Sequence, residues 1–336
     1  MVSMKKSILI ILAALVVCAA AAGCVSEPQK TAGGLDITNS DGTVTHLDKV
    51  PERIALLNSN AGEILYLLGD AGKVVGISQS IANNKEQAAM YPNAVVTGAW
   101  NEPNVEYLVN LNADVIIGYA ASKPKNAEVL AAAGIPVVYI DCTKPKTMAQ
   151  DIVEVGKLAG DEAKAREIAA FYTDVMSKIE AAAAPIDYAP SVYAESYTAY
   201  WGQGTDSGMG QLSTLTGGNN IMPTAASEKV SDEWVVSSSP DVVVKLVNSM
   251  ENAEGQYAEL LSRTGFDTVS AVKNDKVWLI RNDLTYGPRS CAAAVALFTM
   301  CHPDVLEGLT AEGVLEEFNA KFGTDFELEN ITYPAL

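Results

Sequence analysis

Aromatic and charged side chains follow several segments that the sequence predicts to be β-strands. Two of these loops, Ser196–Trp201 and Asp283–Arg289, are rich in such residues. Ligands of open α/β sheets bind beside the carboxyl ends of strands. Phenol and indole rings pack on flat or macrocyclic faces, and a guanidinium holds carboxylate, catecholate or hydroxamate oxygens. The candidates for ligand contact in such loops are Asn60, Tyr119, Tyr197, Trp201, Tyr286 and Arg289.

These candidates also have structural alternatives. An indole on a loop, such as that of Trp201, is often part of a hydrophobic core. An arginine near the start of a helix, such as Arg289, often donates hydrogen bonds to backbone carbonyl groups. The sequence leaves both alternatives open.

The sequence has few histidine and cysteine side chains that could bind a metal ion or support a catalytic nucleophile. The chain has two histidines, His46 and His302, which argues against a histidine-rich metal site and a Ser-His-Asp hydrolase. Beyond residue 24 the cysteines are Cys142, Cys291 and Cys301, and this odd number excludes a complete disulfide framework. The last two are about 15 Å apart if their segment is a straight helix. We expect buried free thiols, no cofactor and no resident metal.

Composition and charge narrow the class of protein. The chain has 336 residues, of which 49% are hydrophobic and 19% charged. It therefore suits one large domain or two of ordinary size with real cores. Its 41 acidic residues exceed its 23 basic residues, which gives a net charge of −18 at pH 7. Because such an acidic surface repels phosphate backbones, we expect no nucleic-acid partner.

The N-terminal segment resembles the signal sequence of a lipoprotein. Two lysines precede an apolar run over residues 8–22, which is short for a membrane span. The run ends in Ala-Ala-Gly before Cys24, similar to a lipobox, in which the cysteine is diacylated. We predict a signal peptide over residues 1–24, a polar tether over 25–35, and an extracytoplasmic protein anchored by lipid to the outer face of the cell membrane. A plain signal peptide or an uncleaved anchor is the alternative.

Strands and helices alternate through both halves of the remaining chain. Continuous apolar strands, such as residues 114–118 and 241–246, are separated by helices, which is typical of parallel sheets covered on both faces. Between the halves, apolar residues recur at three- and four-residue steps from Thr147 to Ala184, with a brief break at Gly160. This pattern predicts about 35 residues of helix, roughly 50 Å long. The predicted fold is α/β, with two Rossmann-like lobes over residues 36–146 and 186–336 and a connecting helix over residues 147–185.

A short internal duplication relates the two halves. Asn104–Tyr119 and Ser231–Leu246 align at one fixed offset, which pairs Glu106 with Glu233. In both segments an aspartate precedes three aliphatic residues. Helix–turn–strand units share such patterns, so chance is the alternative explanation.

The order of several motifs resembles class III solute-binding proteins, which serve ABC importers of ferric siderophores, haem and cobalamin. The resemblance covers Pro51 to about Phe322. It is carried by PERIALLN (51–58), EILYLLG (63–69), KVVGIS (73–78), GAW (98–100), LNADVIIG (111–118), GGNNI (217–221), VSDE (230–233) and SPD (239–241).

The resemblance implies a ligand cleft between the lobes and modest closure, because a rigid helix resists bending. It also implies that one acidic residue on each lobe docks to arginines of a membrane permease. Glu106 and Glu233 lie at the positions of those glutamates, although each is alternatively an ordinary acid at a helix N-terminus. Trp100 matches a tryptophan that contacts ligand in cobalamin-binding relatives, whereas the corresponding residue of the second lobe is Ser227.

We therefore expect a receptor that captures a metal chelate, either a ferric siderophore or related iron complex or a corrinoid. It would deliver the chelate to the permease and ATPase of an ABC importer, without catalysis. The alternatives are a haem or direct metal-ion binding protein, a metal-cluster or chelatase-like enzyme of related fold, and an adhesion or structural lipoprotein. The few histidines and cysteines argue against the enzyme.

Overall fold

Two separate β-sheets, each covered by helices, organise the chain. The computed structural model describes residues 34–303 and 305–336. The signal peptide expected over residues 1–24, the acylation expected at Cys24 and nearly all of the expected tether lie outside the described residues. Leu35, the last residue assigned to the tether, already belongs to the first strand.

A β-hairpin opens the described chain, as the sequence predicts. β1 (Leu35–Thr38) pairs antiparallel with β2 (Val44–Leu47). The turn uses Gly42 at φ 82°, a backbone conformation that glycine adopts without strain. Next to it, hydrogen bonds from Thr43 and then from Lys123 lower the pKa of Asp41 to about 2. These contacts fix the turn.

The first sheet is wholly parallel. The strands of this lobe are β3 (Ile54–Leu56), β4 (Val74–Ile77), β5 (Val95–Val96), β6 (Gly98–Ala99), β7 (Glu102–Pro103), β8 (Val115–Gly118) and β9 (Val137–Tyr139). The sheet has the order β5–β4–β3–β8–β9, and β6 pairs with β7 apart from it. The direction of strand order changes between β3 and β8, and the carboxyl ends of strands at such a point form a crevice.

Short helices cover this sheet. They are α1 (Ser59–Leu68), α2 (Gln79–Asn83), α3 (Lys85–Met90), α4 (Val105–Asn110) and α5 (Ala127–Ala132), with a 3-10 turn at Ala71–Lys73. The α1 helix begins where the Asn58 side chain accepts hydrogen bonds from the backbone N–H groups of Asn60 and Ala61. It ends at Gly69, which has a left-handed φ of 86°.

The connecting region is two helices, which divide the predicted connecting helix over residues 147–185 at Gly160, where the sequence predicts a brief break. α6 (Pro145–Ala159) ends at Gly160, whose φ of 78° is left-handed. α7 (Glu162–Ala183) begins after Asp161, whose side chain accepts a hydrogen bond from the backbone N–H of Lys164. The helices then pack against each other. The sequence predicts the break, but its periodicity does not show that two packed helices result, because apolar residues recur on both sides of it without a change of spacing.

The second sheet combines a parallel centre with antiparallel edges. Its strands are β10 (Ser191–Glu195), β11 (Trp201–Gly202), β12 (Asn219–Asn220), β13 (Glu228–Lys229), β14 (Val242–Val247), β15 (Val277–Arg281) and β16 (Thr332–Tyr333). β12, β10, β14 and β15 run parallel to one another. β11, β13 and β16 pair antiparallel at the two edges. The sequence predicts β10, β14 and β15 but not the two-residue strands, which are too short to show a period.

The helices of the second half cover this sheet. They are α8 (Gly208–Leu215), α9 (Asp232–Ser238), α10 (Ala253–Leu261), α11 (Ser270–Lys273), α12 (Ser290–Cys301) and α13 (Ala311–Phe322), with 3-10 turns at Phe266–Thr268 and Asn282–Leu284. α12 is buried on almost every side, which its nearly uniform apolar sequence explains.

The 22-residue α7 is the long helix that connects the two lobes. It contacts α1 in the first lobe and both α8 and α12 in the second. Its 22 residues correspond to about 33 Å. A single hydrophobic core continues from the first sheet through α7 and α12 to the second sheet, and smaller clusters cover the opposite face of each sheet. In residues 34–303 and 305–336, no helix combines the length and apolar character of a membrane span.

Candidate functional site

A cavity of about 840 Å³ lies between the two lobes. Ala121, Thr143 and Lys144 line it from the first lobe, in the loops that follow β8 and β9. The second lobe contributes the rest of the lining, including the loop between β10 and β11 and the start of α8. The volume is at the upper end of the range for small-molecule sites. The carboxyl ends of parallel strands therefore form a cleft, as the fold predicts.

Three of the predicted ligand residues line this cavity together. Tyr197 and Trp201 are 59% and 41% exposed, unusually high values for such large apolar side chains in a crevice. Tyr286 contributes a half-buried ring. Exposed aromatic faces gathered in a concave site are available for a ligand to cover.

The charged residues that line the cavity in the described chain neutralise each other. Lys144 Nζ lies 2.7 Å from Asp206 Oδ2, across the gap between the lobes. The hydrogen bond from Lys144 is the main cause that holds the pKa of Asp206 below its usual value. The other polar lining residues are neutral, among them Ser196, Gln203 and Ser207. The cavity thus has no excess charge with which to attract an anion.

Trp100 and Tyr119 form a second aromatic pair on the first lobe. Their rings meet edge to face with centroids 5.6 Å apart, and both are half-buried. Tyr119 follows β8 directly, and Ala121, two residues further on, lines the cavity. Burial raises the pKa of Tyr286, and both Tyr197 and Tyr119 lie close enough to raise it further. The pair therefore lies at the edge of the cavity rather than among its lining residues.

Asn60 takes part in the scaffold beside the cleft. Its side-chain Nδ2 donates to the Asp141 carbonyl at 3.2 Å. The Asp141 carboxylate in turn accepts from the backbone N–H groups of Ala120 and Ala121 at 2.7 and 3.0 Å. Asn60 is not among the residues that line the cavity. Its observed contacts hold the loop that carries Ala121.

The structure corrects the assignment of Arg289 as a ligand residue. Its side chain is 2% exposed, and its Nε and Nη2 donate to the two carboxylate oxygens of Glu63 at 3.0 and 2.8 Å. Asp283 and Glu86 lie 3.4 and 3.7 Å from Nη1, and the guanidinium stacks 4.1 Å from the ring centre of Phe326. These partners occupy the buried guanidinium, and the Arg289–Glu63 ion pair joins the two lobes.

A second contact joins the lobes close to this ion pair. The Gly287 N–H donates to the Cys142 carbonyl at 2.9 Å. Cys142 has a positive φ of 50°, and its own N–H donates to the buried carboxylate of Asp151 at 2.9 Å. Burial raises the pKa of Asp151 to about 6, although hydrogen bonds from Ser40 and Cys142 oppose the shift. Asp151 at α6 thus holds the segment that enters the cleft.

The sequence missed the part of the cavity that glycines form. A Cβ on Gly208 would lie 2.1 Å from the Thr143 carbonyl oxygen, and one on Gly204 would lie 2.3 Å from the Ala226 carbonyl oxygen. These glycines let the backbones of the two lobes, and of neighbouring loops, approach closely. Ser227, where the resemblance leads one to expect a tryptophan, lines the cavity and accepts a hydrogen bond from the Gly204 N–H. The glycine-rich stretches in the sequence were the available signal.

Glu106 and Glu233 occupy equivalent exposed positions on the two lobes. Each lies in the first turn of a short helix, α4 or α9, capped by the side chain of Asn104 or Ser231. The aspartate that precedes the strand of each repeat, Asp114 or Asp241, accepts hydrogen bonds from the backbone at the start of the neighbouring strand, β3 or β10. These matching caps and strand contacts show that the internal duplication is a structural repeat.

The described residues offer few side chains for redox chemistry or metal binding. Cys142, Cys291 and Cys301 are unpaired and buried, which confirms the expectation of free thiols. Burial raises the pKa of Cys291 and of Cys301 to about 12. No cluster of three metal-ligating side chains occurs among residues 34–303 and 305–336.

Two α/β lobes, one connecting helix and an aromatic cleft between the lobes define the class of two-lobed solute-binding proteins. Comparison with known proteins agrees. The family model described as periplasmic binding protein matches residues 54–284. The chain belongs to this periplasmic binding protein family, whose members are substrate-binding proteins located outside the cytoplasm.

Relatives and solved structures extend this finding. The chain is 30% identical over 260 residues to a cobalamin-binding protein of Halobacterium salinarum, covering 72% of this chain and 69% of the relative. It is 26% identical to an uncharacterized ABC transporter substrate-binding lipoprotein, YvrC, of Bacillus subtilis, covering 81% and 86%. The TroA-like periplasmic binding protein FepB of Veillonella parvula has the same fold, with a TM-score of 0.72 at 24% identity over 86% of this chain and 96% of that one.

Proposed function

We propose that this protein captures a corrinoid outside the cytoplasm and delivers it to an ABC importer. The observation that carries the proposal is the character of the cleft. Tyr197, Trp201 and Tyr286 supply broad aromatic faces, while Lys144 and Asp206 cancel each other's charge. A corrinoid is a large macrocycle with neutral amide side chains, and it matches such a surface.

Charge separates the corrinoid from the other chelates that the resemblance allows. Ferric siderophores and haem carry carboxylate, catecholate or hydroxamate oxygens, and an unpaired cation in the cleft would bind them. Arg289 is committed to Glu63, and Lys144 is paired with Asp206. The relative from Halobacterium salinarum is named as cobalamin-binding, which supports the same choice.

Delivery requires a docking surface, and we assign it to Glu106 and Glu233. Each is an exposed carboxylate at the N-terminus of a short helix, at equivalent positions of the repeat. One negative charge on each lobe suits a permease with two-fold symmetry, because it fixes orientation and speeds encounter.

Membrane attachment through Cys24 completes the proposal. The sequence before Cys24 resembles a lipobox, and the YvrC relative is named as a lipoprotein. Two acyl chains are sufficient for stable anchoring. Replacement of Cys24 by serine should release the protein from isolated membranes, and retention of this variant on membranes would contradict acylation.

Calorimetric titration of the mature protein tests the ligand class. The panel is cyanocobalamin, a ferric catecholate, a ferric hydroxamate and haemin. Binding of cyanocobalamin alone supports the proposal. Binding of an anionic chelate without cyanocobalamin would move the assignment to an iron complex, with Lys144 released from Asp206 as its partner.

A further inference from the structure

A buried cluster of three charges lies at the carboxyl end of β10, behind the cavity. Glu195 is fully buried, and its carboxylate accepts two hydrogen bonds from Arg263, both at 2.8 Å, and one from Lys245 at 2.7 Å. The side chains of Arg263 and Lys245 are each 12% exposed. We call these three residues the charge triad.

Burial alone does not explain the charge triad. Taking three ions out of water is costly, and well-packed apolar residues often stabilise a core as well or better. Burial raises the pKa of a carboxyl, yet the contacts from Arg263 and Lys245 outweigh it and hold the pKa of Glu195 below its usual value. Glu195 therefore stays ionised, and the remaining contacts of the triad indicate its role.

The Tyr193 hydroxyl on β10 donates to Glu195 Oε2 at 3.2 Å, and most of the other contacts go to the loop between β10 and β11. The Tyr200 N–H donates to Glu195 Oε2 at 2.9 Å, and Lys245 Nζ donates to the Ser196 carbonyl at 3.0 Å. The Arg263 guanidinium stacks on the Tyr200 ring, 4.5 Å from its centre. The charge triad thus holds both ends of a single loop.

The same loop carries much of the aromatic lining of the cavity. Tyr197 and Trp201 face the cavity, one near each end of the loop. Tyr200 between them has a φ of 60°, which is uncommon for a residue with a side chain and persists only where surrounding contacts impose it. Glu195 and Arg263 supply two of the contacts to Tyr200, and the Val230 N–H donates to its carbonyl at 2.9 Å.

We propose that Glu195, Lys245 and Arg263 are positioning residues that fix the Ser196–Trp201 loop in its ligand-binding geometry before ligand arrives. The ordering of Tyr197 and Trp201 then takes place during folding, so binding does not have to supply it. This inference rests on the proposed function, because it takes the cavity to be the ligand site.

Lys245→Met is the sharpest test variant. It removes the hydrogen bond to the Ser196 carbonyl, while Arg263 still neutralises Glu195 through two hydrogen bonds. Lys157→Met is the matched control, because Lys157 donates to both oxygens of the buried carboxylate of Glu154 on α6. Neither Lys157 nor Glu154 lines the cavity.

The experiment measures hydrogen–deuterium exchange of the ligand-free protein and its affinity for cyanocobalamin. In Lys245→Met we expect amides of residues 196–201 to exchange about tenfold faster and the Kd to rise about tenfold, because the loop must now be ordered on binding. Lys157→Met should match the wild type in both, and Lys245→Arg should restore most of the loss.

Unchanged loop exchange in Lys245→Met, or unchanged affinity in the presence of faster exchange, would overturn the inference. If the wild type binds no cyanocobalamin, the proposed ligand fails, while the exchange data still decide whether the charge triad orders the loop. If Lys245→Met does not fold, Tyr200→Ala takes its place, because it removes the ring on Arg263 and leaves all three charges. The same increase in loop exchange is expected, and its absence counts against the inference.

Discussion

Aromatic side chains form a prominent part of the cleft lining. Tyr197 and Trp201 remain substantially exposed although they sit in a concave site, and Tyr286 completes the group. Apolar aromatic surface left in contact with water inside a crevice is released from that water when a flat ligand covers it. We therefore expect these rings to account for much of the binding free energy.

Trp201→Ala should weaken cyanocobalamin binding by about tenfold, because a lost aromatic contact costs on the order of 1–2 kcal/mol. Titration calorimetry measures the change. Tyr188→Ala is the control, since Tyr188 is 63% exposed and does not line the cavity. Equal affinity in wild type and Trp201→Ala would remove Trp201 from the site.

Arg289→Met should destabilise the protein by about 3–5 kcal/mol, because it leaves buried acidic partners without their cation. Glu63 is the partner with the shortest contacts. Urea unfolding measures the loss, and Glu63→Gln combined with Arg289→Met should recover part of it. If Arg289→Met kept wild-type stability but lost affinity for an anionic chelate, Arg289 would be a ligand residue after all.

The sequence placed three aromatic residues where the structure has a cavity, but it did not predict the ion pair that Arg289 forms with Glu63. Tyr197, Trp201 and Tyr286 follow predicted strands, and strand ends in α/β sheets converge on one crevice. The contacts of Arg289 depend on Glu63, which lies 226 residues away along the chain. Local patterns carry no information on such distant pairing.

Two helices, α6 and α8, hold the backbone segment that enters the cleft. α6 carries Asp151, which holds the Cys142 N–H, and α8 starts at Gly208, which lies against the Thr143 carbonyl. Both helices therefore act on the segment Cys142–Lys144, where the first lobe approaches the second. Substitutions in either helix should therefore alter the geometry of the cleft.

The contribution of Asp151 to the unfolding free energy should fall as pH rises from about 4 to about 7. Its native pKa of about 6 lies above the ordinary value, so the native state binds this proton more tightly than the unfolded chain does. This stabilising contribution is present at low pH and is lost as pH rises through the native pKa. It amounts to at most about 3 kcal/mol.

Urea unfolding at several pH values compares the wild type with Asp151→Asn, in which this part of the slope should disappear. Asp187→Asn, at an exposed position, should keep the wild-type slope. Identical slopes in the wild type and Asp151→Asn would show that the proton on Asp151 is not linked to folding.

Gly208→Ala should reduce cyanocobalamin affinity at least about fivefold, since a new methyl group in tight packing costs roughly 1–3 kcal/mol. The methyl group would push the Thr143 carbonyl, and with it the first lobe, away from α8. Gly72→Ala is the control, because no atom lies within 4 Å of a Cβ at that position. Undiminished binding by Gly208→Ala would mean that the lobes need not approach here.

The alternation of strands and helices was predictable because buried parallel strands are continuous apolar runs. The prediction failed where strands are two residues long, as in β11–β13. Glycine at residue 160 indicated the break between α6 and α7. The regular apolar pattern on both sides of it did not show that the two helices pack against each other.

At the scale of the whole molecule, the lobes share one continuous core and are joined by specific contacts. α7 packs on helices of both lobes, and the Arg289–Glu63 pair and the Gly287–Cys142 hydrogen bond lie across the gap. A change in the angle between the lobes would have to disturb these buried contacts. The change in the angle between the lobes when the cleft opens and closes should therefore be small.

The double variant Glu106→Ala, Glu233→Ala should bind cyanocobalamin like the wild type but lose most uptake, at least about tenfold, because docking charges act on the permease and not on the ligand. Uptake of labelled cobalamin by cells that carry the cognate importer measures this. Glu312→Ala, in the first turn of α13, is the control. Normal uptake by the double variant would exclude these residues from docking.

The three sequestered sulfhydryls have a consequence for biosynthesis. Cys142, Cys291 and Cys301 form no cross-link, and burial keeps their reactive thiolate forms scarce. The part of the chain that the structure describes thus needs neither an oxidant nor a disulfide isomerase to reach its native state. It should assemble equally well in a reducing host cytosol, which makes it convenient to produce in quantity.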